Sequence, residues 1–162
     1  MSDRKESTMK ALLKHHEKDL KVIDKLQGKG RRNNKPEKLV ETVCMLWMRD
    51  RGFNVQVIDS TANWNGRAWV QQGAKQGTTD CVGNTPEGIA CFIEFKALGR
   101  LATFHGERNQ KQQWFVIKKI ETNCFSCVVD SVDRLARIYT EWCVARAKSP
   151  ELARAYLLKE LP

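Results

Sequence analysis

Long apolar runs are absent from this chain. No stretch approaches the roughly 18 residues that cross a bilayer as a helix, and the opening "MSDRKESTMK" lacks the apolar core of a secretory leader. A cytoplasmic location is therefore the expectation. Histidine is scarce too: His15 and His16 sit in a basic stretch and His105 in a polar, glycine-flanked segment. None lies in a motif, which removes Ser-His-Asp and Cys-His chemistry from the candidates. The single CxxC, Cys124 with Cys127, has neither a second CxxC nor a spaced histidine pair beside it, so zinc is not expected. All six cysteines are spread along apolar segments, the pattern of reduced, buried thiols. Repeats and low-complexity tracts are missing as well.

Acidic residues are in deficit, 19 against 28 Lys and Arg, for a net charge of +9 in 162 residues. Excess cationic side chains supply the sequence-independent part of phosphate binding, so a polyanionic partner is expected. The charge is uneven: residues 1 to 36 hold 11 Lys or Arg and 5 Asp or Glu, a net of +6. A hydrophobic fraction of 41% and this length suit one mixed domain with a real core.

Periodicity predicts the order of elements. Met9, Leu12, Leu13, His16, Leu20, Ile23 and Leu26 recur at helical spacing, and Gly28 with "KGRRNNKP" supplies a stop and a basic connector. A second helix is expected from Pro36 to Gly52, with Leu39, Val40, Val43, Leu46 and Trp47 as its apolar stripe. "FNVQVID" alternates as a strand does, and "STANWNGRAWVQQGAKQG" reads as a hairpin or a strand and loop. "TDCVG" and "IACFIEFKA" are strands joined by the turn "NTPEG". Next come a helix over "ERNQKQQWFVIKKIETN", with Trp114, Val116, Ile117 and Ile120 as apolar positions, and the strand "CFSCVVD". Two serine-capped helices, "SVDRLARIYTEWCVARAK" and "SPELARAYLLKEL", close the chain.

In the strand "IACFIEFKA" side chains alternate, so Cys91, Ile93, Phe95 and Ala97 form an apolar face while Phe92, Glu94 and Lys96 share the other. Asp80 opens the neighbouring strand. Two carboxylates without thiolate or imidazole are ligands for a hard cation, Mg²⁺ or Mn²⁺, and a lysine beside them can stabilise charge on a phosphoryl group. Unless something else gathers there, Glu94 and Lys96 are simply a solvated pair on an edge strand.

Asp80, a turn, and then Glu94-Phe95-Lys96 resembles the D…ExK core of the PD-(D/E)XK nucleases, and the chain is similar to their virus-type replication-repair (VRR-NUC) branch. The resemblance rests on "PEKLVETVCMLWMRDRG" with an early acid, the polar segment after it, "GTTD", "EFKALGRL" leading into a glutamine-bearing helix, and "CVVDSVDRL". It covers residues 36 to 135, leaving a basic helix and connector at 1 to 35 and helices at 136 to 162 that would pack on the core. It implies an α/β, restriction-endonuclease-like mixed sheet flanked by helices. It also implies that Asp80, Glu94 and the Phe95 carbonyl hold Mg²⁺, with Mn²⁺ as a substitute, that Lys96 activates water, and that Glu37, or Glu41, approaches from the first helix. The family's helical glutamine maps to Gln113, with Gln110 and Gln112 as rivals. Thr79 stands where the family often has proline, and "ATFHGER" is additional.

The activity implied is metal-dependent endonucleolytic hydrolysis of DNA, structure-specific on branched forms such as four-way junctions and carried out by a homodimer. Flap or restriction-type cleavage, or binding without cutting, are the alternatives. Arg31, Arg32, Lys35, Arg67, Lys75 and Arg100 are candidates for the phosphate backbone. Trp64 and Trp69 could stack on unpaired bases.

Overall fold

A computed structural model describes residues 36–58, 62–64, 67, 69–71 and 77–162. The expected N-terminal helix and its basic connector lie outside the described residues.

Helix α1 (Pro36–Asp50) begins with proline in the first turn and Glu37 at the positive end of the helix dipole. It stops before Gly52, whose φ of +83° is a left-handed conformation that glycine adopts without a Cβ penalty. The buried side of α1 is Val40, Cys44, Met45 and Met48. That side is turned from the expected stripe: Leu39, Val43 and Leu46 are only partly covered, and cysteine and methionine fill the interior instead.

Four strands form a mixed sheet in the order β1-β4-β5-β6: β1 (Asn54–Val57), β4 (Cys81–Asn84), β5 (Ala90–Phe95) and β6 (Phe125–Val129). The first two pairings are antiparallel and the last is parallel. A separate two-stranded ribbon, β2 (Ala62–Trp64) with β3 (Trp69–Gln71), accounts for the polar segment as a hairpin. A parallel pair cannot be joined by a tight turn, and here the connection is helix α2 (Gln110–Glu121). The additional segment before it forms two 3₁₀ turns, Leu101–His105 and Glu107–Asn109, with Phe104 buried.

Both faces of the sheet are covered, as expected for a strand as apolar as β6, which is buried along its whole length. On one face lie Cys81, Ile93 and Phe125. Cys81 Sγ is 3.5 Å from Met45 Sδ on α1, and Phe125 packs edge-on against Tyr139 of α3 (Val132–Lys148). On the other face Phe92 meets Phe115 of α2, ring centroids 5.6 Å apart. Helix α4 (Pro150–Glu160) buries Ala153 and Leu157. The serine caps are both formed: Ser131 and Ser149 accept hydrogen bonds from the backbone N–H groups of Arg134 and Leu152. The four described helices around a mixed open sheet are thus a mixed α/β arrangement. Among the described residues, no helix is long and apolar enough to cross a membrane.

Four of the six thiols, Cys44, Cys81, Cys91 and Cys127, are buried, and burial raises the pKa of each well above that of a free cysteine.

Candidate active site

The antiparallel β4–β5 register pairs Cys81 with Ile93, so Asp80, one residue before Cys81, falls opposite Glu94, one residue after Ile93, on the α2 side of the sheet. Asp80 stands in a bend just ahead of β4. Its carboxylate is fixed from the partner strand: Phe95 N–H donates to Asp80 Oδ2 at 2.8 Å. Lys96 follows β5 directly and stays in the ladder, its N–H donating to the Val129 carbonyl at 2.8 Å. Local sequence thus delivers Asp80, Glu94 and Lys96 to one end of one sheet face.

Glu94 is 1% exposed and Lys96 8%. They are not a solvated edge pair. The Lys96 ammonium donates to Glu94 Oε1 and lies 3.9 Å from Glu37 Oε1 on the first turn of α1, whose side chain is about half exposed. Glu94 Oε2 is buried with no hydrogen-bond partner. A buried polar atom left unpaired costs about 1–3 kcal/mol, more when charged; the neighbour nearest in kind is the Asp80 carboxyl, whose own proton affinity responds to Glu94.

Burial, followed by the neighbouring Asp80 charge, pushes the Glu94 carboxyl up to about 8, against the pull of Lys96. Burial also raises Asp80, opposed by the Phe95 N–H and by Lys96. Two carboxyls that each resist ionisation, with a third from Glu37, face a single lysine. An acidic cluster inside a chain of net charge +9 favours a bound cation.

Asp80 and Glu94 fit a hard divalent ion by donor chemistry and by the unpaired Oε2. Among the described residues no cage of three or more His, Cys, Asp or Glu side chains is present. Mg²⁺ does not require one, because it binds through one or two carboxylates, several waters and substrate phosphate.

The supporting contacts are longer in range. Gly77, at φ +96°, brings the "GTTD" segment against the start of α2, where a Cβ would come 2.7 Å from Lys111 Cβ. Thr79 is 1% exposed and its hydroxyl donates to the Cys81 carbonyl at 3.2 Å, so a side-chain bond stiffens the turn where the resembling family has proline. Asp130, at the end of β6, accepts from the Gly99 N–H at 2.9 Å and ties down the segment after Lys96. Sequence reading passed over Asp130, although an aspartate ending a wholly buried strand was a visible signal.

The remaining predicted residues divide. Glu37 is brought to Lys96, while Glu41 is engaged by Lys38 one turn away. Gln113 donates through Nε2 to the Phe104 carbonyl at 2.6 Å and the Gly106 carbonyl at 3.4 Å. Its amide N–H group is thus spent on the additional segment. Gln110 and Gln112 lie on the same first turn, Gln110 exposed and Gln112 partly covered. His105, exposed, contacts the Pro162 carbonyl. Arg67 and Arg100 are exposed; Arg31, Arg32, Lys35 and Lys75 lie outside the described residues. The backbones of Trp64 and Trp69 pair with each other across the ribbon.

Compared with models of protein families, with curated proteins and with solved structures, the chain finds no match. The chemistry of this pocket must carry the functional reading alone.

Proposed function

We propose that the chain is a divalent-metal-dependent endonuclease that hydrolyses DNA phosphodiester bonds, built on a restriction-endonuclease-like sheet of the VRR-NUC type. The observation that carries this reading is the buried Glu94 carboxylate, one oxygen held by Lys96 and the other unpaired, across from Asp80. Asp80 and Glu94, with the Phe95 carbonyl, would hold Mg²⁺ or Mn²⁺. When bound, such an ion supplies Lewis acidity: it makes water a better nucleophile near neutral pH and offsets phosphate charge.

The chain's own groups divide the remaining work. The Phe95 N–H fixes the Asp80 carboxylate in one orientation. The Lys96 ammonium, held by Glu94 and near Glu37, is the cation available to a phosphoryl oxygen as its charge develops. Hydrolysis forms a bond from water oxygen to phosphorus and breaks the ester P–O bond, whose electron pair leaves on the departing nucleotide oxygen and is protonated from solvent. Glu37, more open than Glu94, is the carboxylate suited to take the proton released by water. No covalent enzyme intermediate is needed. Basic side chains such as Arg67 and Arg100 would contact the DNA backbone, and branched DNA cut by a homodimer is the substrate and assembly in this reading.

The test is cleavage of labelled linear duplex, single strand, flap and four-way junction by the wild type and by Glu94→Ala, with Mg²⁺, Mn²⁺ or EDTA. Metal-dependent cutting that disappears in the variant is the expected result. If neither metal supports cutting of any substrate, the proposal is wrong and the buried pair is structural.

A further inference from the structure

Helix α2 lies with Phe115 and Lys119 over Phe92, the ammonium 4.5 Å from the Phe92 ring centroid. Glu94 follows Phe92 by one step on the same sheet face, and the N-terminal turn of α2 meets the segment leading to Asp80 at Gly77. The N-terminal turn of α2 therefore borders the candidate active site, and Trp114 stands just past that turn. Val116 and Ile120 take the core positions. Trp114, one residue from Phe115 and so about 100° around the helix, is left 63% exposed.

Exposing most of a tryptophan forgoes the burial of one of the largest apolar side chains. Of its neighbours at three and four residues' distance, Gln110, Lys111, Ile117 and Lys118, the two lysines are exposed, Lys118 ion-paired to Glu121 at 2.7 Å. An indole bracketed by ammonium groups matches a partner that offers a flat π surface and negative charge together. A stacked duplex hides its base faces, whereas an unpaired base presents one, with its phosphate alongside.

We infer that Trp114 is a stacking platform for an unpaired DNA base next to the scissile phosphate, so that the preferred substrate carries single-stranded character at the cut. The inference rests on the nuclease reading for the role of the neighbouring pocket, but its own chemistry is binding. In this arrangement Trp114 holds the base.

The experiment measures binding of the full chain in EDTA, where no cutting occurs, to a fluorescein-labelled duplex and to the same duplex with a short unpaired gap. Trp114→Ala should weaken gapped-DNA binding about tenfold, within the range for loss of one base stack, and change duplex binding less than twofold. Trp114→Phe, which keeps a ring, should restore most of the difference. Equal loss on both DNAs, no loss on either, no preference of the wild type for gapped DNA, or a change in oligomeric state by light scattering on Trp114→Ala would each overturn the inference. Cleavage with Mg²⁺ reports separately on the nuclease reading: cutting that survives an unselective Trp114→Ala leaves that reading standing and removes the platform.

Discussion

A carboxyl that is 1% exposed, beside a second carboxyl, holds its proton more tightly in the folded protein than in the unfolded chain. For Glu94, whose pKa rises from 4.5 to about 8, the sign follows by linkage. Its contribution to stability is complete below about pH 4.5 and is lost as pH rises toward 8. Without divalent ions, the thermal midpoint should therefore fall between pH 5 and pH 8.5 more steeply in wild type than in Glu94→Gln. Adding Mg²⁺ should recover the wild-type midpoint at the alkaline end and leave that of Glu94→Gln nearly unchanged, since an ion that binds only the folded form stabilises it. Calorimetry across that pH range, with and without Mg²⁺, checks both. Equal pH slopes for the two proteins would count against the unpaired oxygen as the source. Asp80→Ala should lower metal-dependent cleavage by more than the ~10–100-fold typical of residues that only orient a ligand, while DNA binding in EDTA stays within about twofold. An active Asp80→Ala enzyme would remove Asp80 from the site.

At the scale of elements, the pocket depends on two segments meeting without room for a methyl group. Gly77→Ala would face a left-handed backbone at φ +96° and a 2.7 Å approach to Lys111 Cβ. The left-handed conformation alone disfavours alanine by about 1–2 kcal/mol, and overpacking adds a further ~1–3 kcal/mol. Urea unfolding should show a loss within the sum of these ranges. Cleavage should drop further than stability accounts for, because the displaced backbone leads into Asp80; a stable, fully active Gly77→Ala would show that the close approach is incidental. What was legible beforehand follows the range of the interaction. The β4–β5 turn is local and alternation fixes faces, so the convergence of Asp80, Glu94 and Lys96 could be read directly. The serine caps of α3 and α4 were legible for the same reason. Which side of a helix turns inward is decided by what packs on it. Hence α1 buries Cys44 and Met48 where Leu39 and Leu46 were expected, and Trp114 faces outward despite its apolar spacing. The contact made by Gln113 could not be read, since its partner is a carbonyl in the additional 3₁₀ segment.

The whole molecule combines an acidic pocket with a basic chain, and the two signs should separate by experiment. Divalent ions are drawn to the pocket and DNA to the basic side chains, so salt should weaken DNA binding through counterion release while the pocket is partly shielded by burial. Arg31, Arg32 and Lys35 belong to the first 36 residues, which carry a net charge of +6. If each neutralises one phosphate, replacing all three by alanine should reduce the slope of log K against log salt by about 2.7, since each contact contributes about 0.9 for duplex DNA. Affinity should fall most at low salt, where released counterions count most. Thermal stability and Mg²⁺ binding should be unchanged, as a loss of phosphate contacts alone requires. Fluorescence anisotropy over a series of salt concentrations measures the slope. An unaltered slope would move DNA contact away from the N-terminal segment and onto basic residues nearer the pocket, Arg67 and Arg100 first.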